Sequence, residues 1–390
     1  MKAIYLDNNA TTQVAPEVLE EMLPYLSEFY GNPSSMHTFG GQLHRKVEEA
    51  RAKVAALIGA EPGEIIFTSC GTESDNTALM SAIETHHKRH LITTKVEHPA
   101  VLNFVKHLAR KGYRITILPV DSLGRLDIES LSRALDDDIA VVSIMYANNE
   151  TGVLFPIQEI GEILQDRKIL FHTDAVQVVS KLPITVKELP VDMLSLSGHK
   201  IHAPKGIGAL YVRKGTRFYP YIIGGHQERG RRAGTENVAS IIGLGKACEL
   251  AKENLNREII HLTALRDKLE KALLGCCPDV RINGDIEHRL PNTTNISFEF
   301  VEGEAILLRL NEYGVCASSG SACTSGALEP SHVLRAMGVP FTAIHGSIRF
   351  SLSRYNEEAE IERVVEVMPP IIKELRTLSP YGKKKLMQCQ

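Results

Sequence analysis

Four side chains in this sequence stand where they could do chemistry that ordinary surface residues do not. Lys200 lies in residues 193–211, MLSLSGHKIHAPKGIGALY. An alternating apolar run there reads as a buried strand and breaks at Ser197-Gly198-His199-Lys200. It resumes as a second strand after Pro204-Lys205-Gly206-Ile207-Gly208. Burial lowers a lysine's pKa and leaves a nucleophilic amine, the requirement for Schiff-base chemistry. A surface lysine on a turn is the plainer reading of the same residues. Asp174 follows the apolar run 169–172. An acid at the carboxyl end of a buried parallel strand sits where α/β folds place ligands, although a lone Asp there also caps helices. Cys323 lies among small residues, Ala317-Ser318-Ser319-Gly320-Ser321-Ala322-Cys323-Thr324-Ser325-Gly326. A thiol on such an arm is exposed and reactive as thiolate, or it is inert in a tightly packed loop. Arg349 alternates with Ile348 and Phe350 and so points to the opposite face. Its guanidinium suits a carboxylate held by paired hydrogen bonds, or an ordinary salt bridge.

Neighbouring motifs extend this chemistry. Gly71-Thr72-Glu73 follows the apolar run 65–68 and opens a helix. Free N–H groups plus a hydroxyl make a ready anion site, with an ordinary cap by Thr72 as the alternative. His98 precedes Pro99, and Asn149 sits in Asn148-Asn149-Glu150-Thr151-Gly152, where a turn would also account for the asparagines. The histidines show no His-Glu-x-x-His or other zinc spacing, so no resident metal is expected. The seven cysteines are odd in number and include no Cys-x-x-Cys. That argues against a disulfide framework and suits a reducing compartment.

These groups need a framework to hold them, and apolar periodicity supplies one. Strands at 65–68, 90–94, 114–120, 139–145 and 169–172 alternate with helices at 44–57, 100–111, 128–135 and 156–165. Such alternation argues for βαβ units and a mostly parallel sheet between helices, spanning residues 16–258. Helices are also expected at 16–30, 243–260, 262–274, 304–311 and 357–375, a strand at 295–300, and a strand at the end of the stretch 344–352. The region after 258 therefore reads as a smaller α+β unit. A chain of 390 residues suggests two or three domains, and 43% hydrophobic with 23% charged residues is ordinary for a globular protein. A net charge of -3 supplies no basic field for nucleic acid. No apolar run approaches the roughly 18–20 residues that span a bilayer. Asp7 comes too early for a signal peptide. A soluble cytoplasmic protein is the expectation.

Together the motifs resemble the cysteine desulfurases of the nitrogen-fixation (NifS) type, in the class V aminotransferase family of pyridoxal-phosphate enzymes. The resemblance rests on Tyr5-Leu6-Asp7-Asn8-Asn9-Ala10-Thr11-Thr12, the Lys200 segment, the Cys323 stretch and Ser347-Ile348-Arg349-Phe350-Ser351-Leu352, and it covers nearly the whole chain. It implies pyridoxal-phosphate fold type I, the aspartate-aminotransferase-like α/β fold. The large cofactor-binding domain would span 16–258, and residues 1–15 with 259–390 would form the small domain carrying the cysteine loop. It implies Lys200 as the covalent anchor of pyridoxal 5'-phosphate, with Gly71, Thr72, Ser197 and His199 at the phosphate. Thr235 would reach the phosphate of the other subunit in a homodimer. His98 would stack on the ring and share proton transfer with Lys200. Asp174 would pair with the pyridine nitrogen, Gln177 and Asn149 would lie at the ring hydroxyl, and Asn149 would also meet substrate. Arg349 would clamp the substrate carboxylate. The implied reaction turns L-cysteine into L-alanine and leaves a persulfide on Cys323. The sulfur would pass to an iron–sulfur scaffold protein of the IscU/NifU kind, with Cys323 as a transient iron–sulfur ligand there. The alternative on the same fold is a selenocysteine lyase or an aminotransferase.

Overall fold

The computed structural model describes residues 3–319 and 330–379. Seven strands make the central sheet: β1 (Ile65–Thr68), β2 (His90–Thr94), β3 (Arg114–Leu118), β4 (Ile139–Ser143), β5 (Leu170–Asp174), β6 (Met193–Ser197) and β7 (Gly208–Val212). Their spatial order is β1-β7-β6-β5-β4-β2-β3. β7 runs antiparallel to both its neighbours, and every other pairing is parallel. Gly208, at the start of β7, pairs with Thr68 and with Ser197, the last residues of β1 and β6. The carboxyl ends of the parallel strands therefore open on one edge of the sheet.

Successive strand residues enter different cores, as period-two alternation requires of a sheet covered on both faces. Ile65, Phe67, Leu194 and Leu196 join one cluster with the helices Thr38–Ile58 and Ile157–Asp166. Ile66, Leu91, Met193 and Leu210 join the other, under the helices Gly71–His86 and Pro99–Arg110. A further core gathers around the antiparallel strands β8 (Val280–Ile282), β9 (Thr293–Phe298) and β10 (Ser347–Ser351), with the helix Glu358–Leu378. A short parallel pair ties Ile4–Tyr5 to Val315–Cys316.

The structure corrects several expected elements. Residues 243–260 and 262–274 are parts of one 39-residue helix, Val238–Cys276. No glycine or proline interrupts it at His261. The apolar stripe only changes partner there, from the sheet's core around Ile241 and Leu244 to the second core around Leu265 and Leu269. The helix expected at 16–30 is instead Pro16–Met22 followed by Pro24–Ser27, because Pro24 has no N–H to continue the ladder. As expected, the stretch 344–352 ends in a strand, Ser347–Ser351, which follows a helical turn at Phe341–Ile344. No helix among the described residues is long and apolar enough to cross a membrane.

Candidate active site

A cavity of about 530 Å³ lies on the carboxyl edge of the sheet. From the strand ends it receives Gly71, Thr72, His98, Asn149, Asp174 and Gln177. The segment after β6 contributes Ser197, His199 and Lys200, and β10 contributes Arg349. Ten of the twelve residues expected at the site thus meet in one space.

Asp174 ends β5 and is buried, with Oδ1 accepting from the Val176 N–H at 2.9 Å. Burial raises its pKa to about 6, against the opposing pull of that N–H and of Lys200. Behind it, burial and then the charge of Asp174 push Asp75 well above the ordinary range. Glu97 is raised to about 8 by burial, although it accepts from Thr94 Oγ1 at 2.7 Å and from the Met145 N–H at 3.0 Å. The floor is dry and acidic, a setting that favours a cation or a proton shared with Asp174.

His98 caps the helix Pro99–Arg110, its Nδ1 accepting from the Ala100 N–H at 3.1 Å. That bond leaves Nε2 as the protonated nitrogen of the neutral ring. Burial, followed by the charges of Lys200 and His332, lowers its pKa to about 4, so the ring is neutral near pH 7. His199 is likewise lowered to about 4, chiefly by burial, and lies 3.2 Å from Thr11 Oγ1 through Nδ1. Lys200 ends a short 3-10 turn and donates to the carbonyls of Asn9 and Ala10, the latter at 2.8 Å.

Three features bear on whether the residues fit pyridoxal phosphate. The helix Gly71–His86 has Cys70 at its cap position with no side-chain bond to the first turn, so Thr72 is not its cap and the leading N–H groups face the cavity edge. A Cβ on Gly71 would fall 2.8 Å from Val176 Cγ2, so only glycine fits this cradle. The buried Ser197 Oγ has no hydrogen-bond partner among the described residues. An anion at the helix start would answer both the open N–H groups and this hydroxyl, and Asp174 suits a protonated ring nitrogen. The residues fit the group.

Arg349 donates through Nη2 to Asp7 Oδ1 at 2.6 Å and through Nη1 to the Asn149 carbonyl at 3.1 Å. Its Nε is buried without a partner among the described residues. Of the other two expected residues, one lies away from the cavity and one cannot be placed. Thr235 is exposed and does not line the cavity of its own chain. Cys323 lies outside the described residues. The segments flanking it do reach the site, because Ser318, Ser319, Pro330, Ser331 and His332 all line the cavity. Ser318 exchanges backbone hydrogen bonds with Arg349, and Ser331 donates to Glu150.

The sequence reading gave no role to several residues placed here. Asp7 and Asn9 line the cavity, and Asn9 Nδ2 donates to Thr293 Oγ1 at 2.8 Å and to the Asn149 carbonyl at 3.1 Å. The signal for them was the polar run Asp7-Asn8-Asn9 directly after a strand, too short to identify a partner. Asp75 and Glu150 are buried acids with no local mark, the first in the polar opening turns of the helix Gly71–His86 and the second in the polar turn 148–152.

Comparison with known proteins gives this geometry a class. The aminotransferase class-V family model matches residues 4–364. The chain belongs to the aminotransferase class-V family. Within it, a cysteine desulfurase of Nostoc sp. is 63% identical over 382 residues, covering 98% of this chain and 96% of that one. The cysteine desulfurase NifS of Azotobacter vinelandii is 58% identical over 383 residues, covering 98% and 95%. A solved structure called a NifS-like protein superposes with a TM-score of 0.90 at 42% identity, covering 96% of this chain and 100% of that one.

Proposed function

We propose that the protein is a pyridoxal-phosphate-dependent cysteine desulfurase, converting L-cysteine to L-alanine and keeping the sulfur as a persulfide for iron–sulfur cluster assembly. The observation that carries this reading is the shared cavity of Lys200, Asp174 and Arg349, in a chain so similar to named desulfurases. Pyridoxal phosphate, when bound, supplies an electron sink for carbanion chemistry next to the substrate amine. Lys200 is its anchor, the Gly71 turn with Ser197 and His199 holds the phosphate, and Asp174 pairs with the ring nitrogen.

The chain's own residues do the rest. Arg349 binds the substrate carboxylate through paired hydrogen bonds, exchanging its contact with Asp7. Neutral His98 and the Lys200 amine are the groups that accept and return protons. The Cys323 thiolate attacks the sulfur of the substrate. The new S–S bond forms as the substrate C–S bond breaks, and the carbon keeps the electron pair and gains a proton to become alanine. The persulfide is then passed to an acceptor, for which a scaffold of the IscU/NifU kind is our choice. Thr235, exposed here, is the residue we assign to the partner's phosphate in a homodimer. We assign residues 16–258 to a cofactor domain, and residues 1–15 with 259–390 to a second unit. The boundary falls within Val238–Cys276, the helix that takes part in both cores. We place the enzyme in the cytoplasm.

Sulfide and alanine release from L-cysteine with a reductant tests the proposal. The native protein is expected to form the two in equal amounts and Cys323→Ala to form neither. Normal release by Cys323→Ala would remove the thiol from the reaction, and keto acid in place of alanine would make the protein a transaminase.

A further inference from the structure

The floor contains one buried ammonium group that the proposed reaction does not use. Lys181 is only 6% exposed and lies four residues after Gln177. Its Nζ donates to the Gln177 carbonyl at 3.1 Å and approaches Gln177 Oε1 at 3.5 Å. Ser180, just before it, has φ 72°, a left-handed conformation that costs a serine energy. The Lys181 N–H closes the turn by donating to the Val178 carbonyl at 2.8 Å. The backbone thus spends strain on turning Lys181 back over Gln177.

An amide can point either way, and only its partners tell which. In its charged form Lys181 can only donate, so the amide oxygen of Gln177 faces it. The amide nitrogen then faces the other way, where Nε2 donates to the Asn9 carbonyl at 3.0 Å. Both ends agree on one orientation, and the side that carries the N–H belongs to a residue lining the cavity.

We propose that Lys181 is a positioning residue that locks the Gln177 amide, so that the cavity meets an N–H donor and not a carbonyl oxygen. The inference rests on reading the cavity as a pyridoxal-phosphate site with Gln177 beside the ring oxygen. A donor at that point favours the ionised ring oxygen, and a flipped amide would favour the protonated one. Burial, with Lys200 as the next cause, brings Lys181 down to about 7, which limits the positive charge stored beside the anchor lysine.

The test uses full-length protein reconstituted with pyridoxal phosphate. The visible absorbance of the bound cofactor is titrated against pH, and cofactor affinity is measured by fluorescence. A native protein that develops no visible band overturns the cofactor reading itself. Given the band, Lys181→Met is expected to move its apparent pKa by about one pH unit and to weaken cofactor binding about tenfold. Lys181→Arg, which keeps a donor, is expected to retain the native values. In a Gln177→Ala background Lys181→Met should change neither, because it acts through the amide. An unmoved band in Lys181→Met overturns the proposal, and so does an equal shift without Gln177. If Lys181→Met fails to fold, the remaining pair decides. A shift in Gln177→Ala with none in Lys181→Arg supports the lock. A shift in both, or none in Gln177→Ala, overturns it.

Discussion

On the floor of the cavity, Asp174, His98 and Glu97 each bond a residue close in the chain, with Met145 a second and distant partner of Glu97. Asp174 is held by Val176, His98 by Ala100 and Glu97 by Thr94. At the rim the partners are far apart. Arg349 holds Asp7 across 342 residues, Asn9 holds Thr293 across 284, and Glu150 holds Ser331 across 181. The floor is fixed by strand ends and burial, so it can set charge and proton positions before any ligand arrives. The rim is a set of exchangeable polar contacts between separate segments, suited to admitting a substrate and releasing a product. On the proposed reading, electronic control and substrate handling occupy different parts of one site.

The largest expected effect tests the floor. Asp174→Ala should lower kcat about 10²–10³-fold with little change in KM, since it removes charge stabilisation from the reacting state. Steady-state kinetics on the cofactor-loaded variant check this, and a change confined to KM would move Asp174 from floor to rim. The rim is tested by Arg349→Lys. Loss of the planar fork should reduce kcat/KM about 10–100-fold, mainly through KM for cysteine. A loss confined to kcat would erase the division of labour.

The smallest effect concerns Glu150, where rim and floor touch. Burial raises its pKa from 4.5 to about 7, eased by Ser331 and Arg349. The folded protein therefore keeps a proton that the unfolded chain has lost. The stability tied to Glu150 is full below pH 4.5 and falls as pH climbs to about 7. Glu150→Gln should escape this loss and gain on the native protein by on the order of 2 kcal/mol between about pH 5 and pH 8. Urea unfolding at both pH values measures it, and an equal difference at both would place the titration elsewhere.

Four residues at the edge of the floor were legible in the sequence because each follows an apolar run. Gly71, His98, Asp174 and Ser197 all follow strands, and the alternation of strand and helix brings such ends to one edge. Arg349 was legible through its alternation with Ile348 and Phe350. Asp7, Asn9 and Glu150 were not, because no local pattern encodes a partner 181 to 342 residues away. The same limit explains the long helix Val238–Cys276. Periodicity records which face is apolar, and it does not record that one helix serves two cores in turn. Lys181 was hidden for a third reason, since a lysine after a polar serine looks like surface until the turn at Ser180 folds it inward.

The pairing of residues 4–9 with the far end of the chain also orders events in time. A growing chain emerges at about 5–20 residues per second, and its earlier segments fold first. The strands from Ile65 to Val212 can assemble, with Lys200 among them, while Ile4, Tyr5 and Asp7 still wait for Val315, Cys316 and Arg349. Lys200 is made roughly ten seconds before Arg349 exists. The sheet edge that floors the cavity is therefore made before the far segments that form its rim.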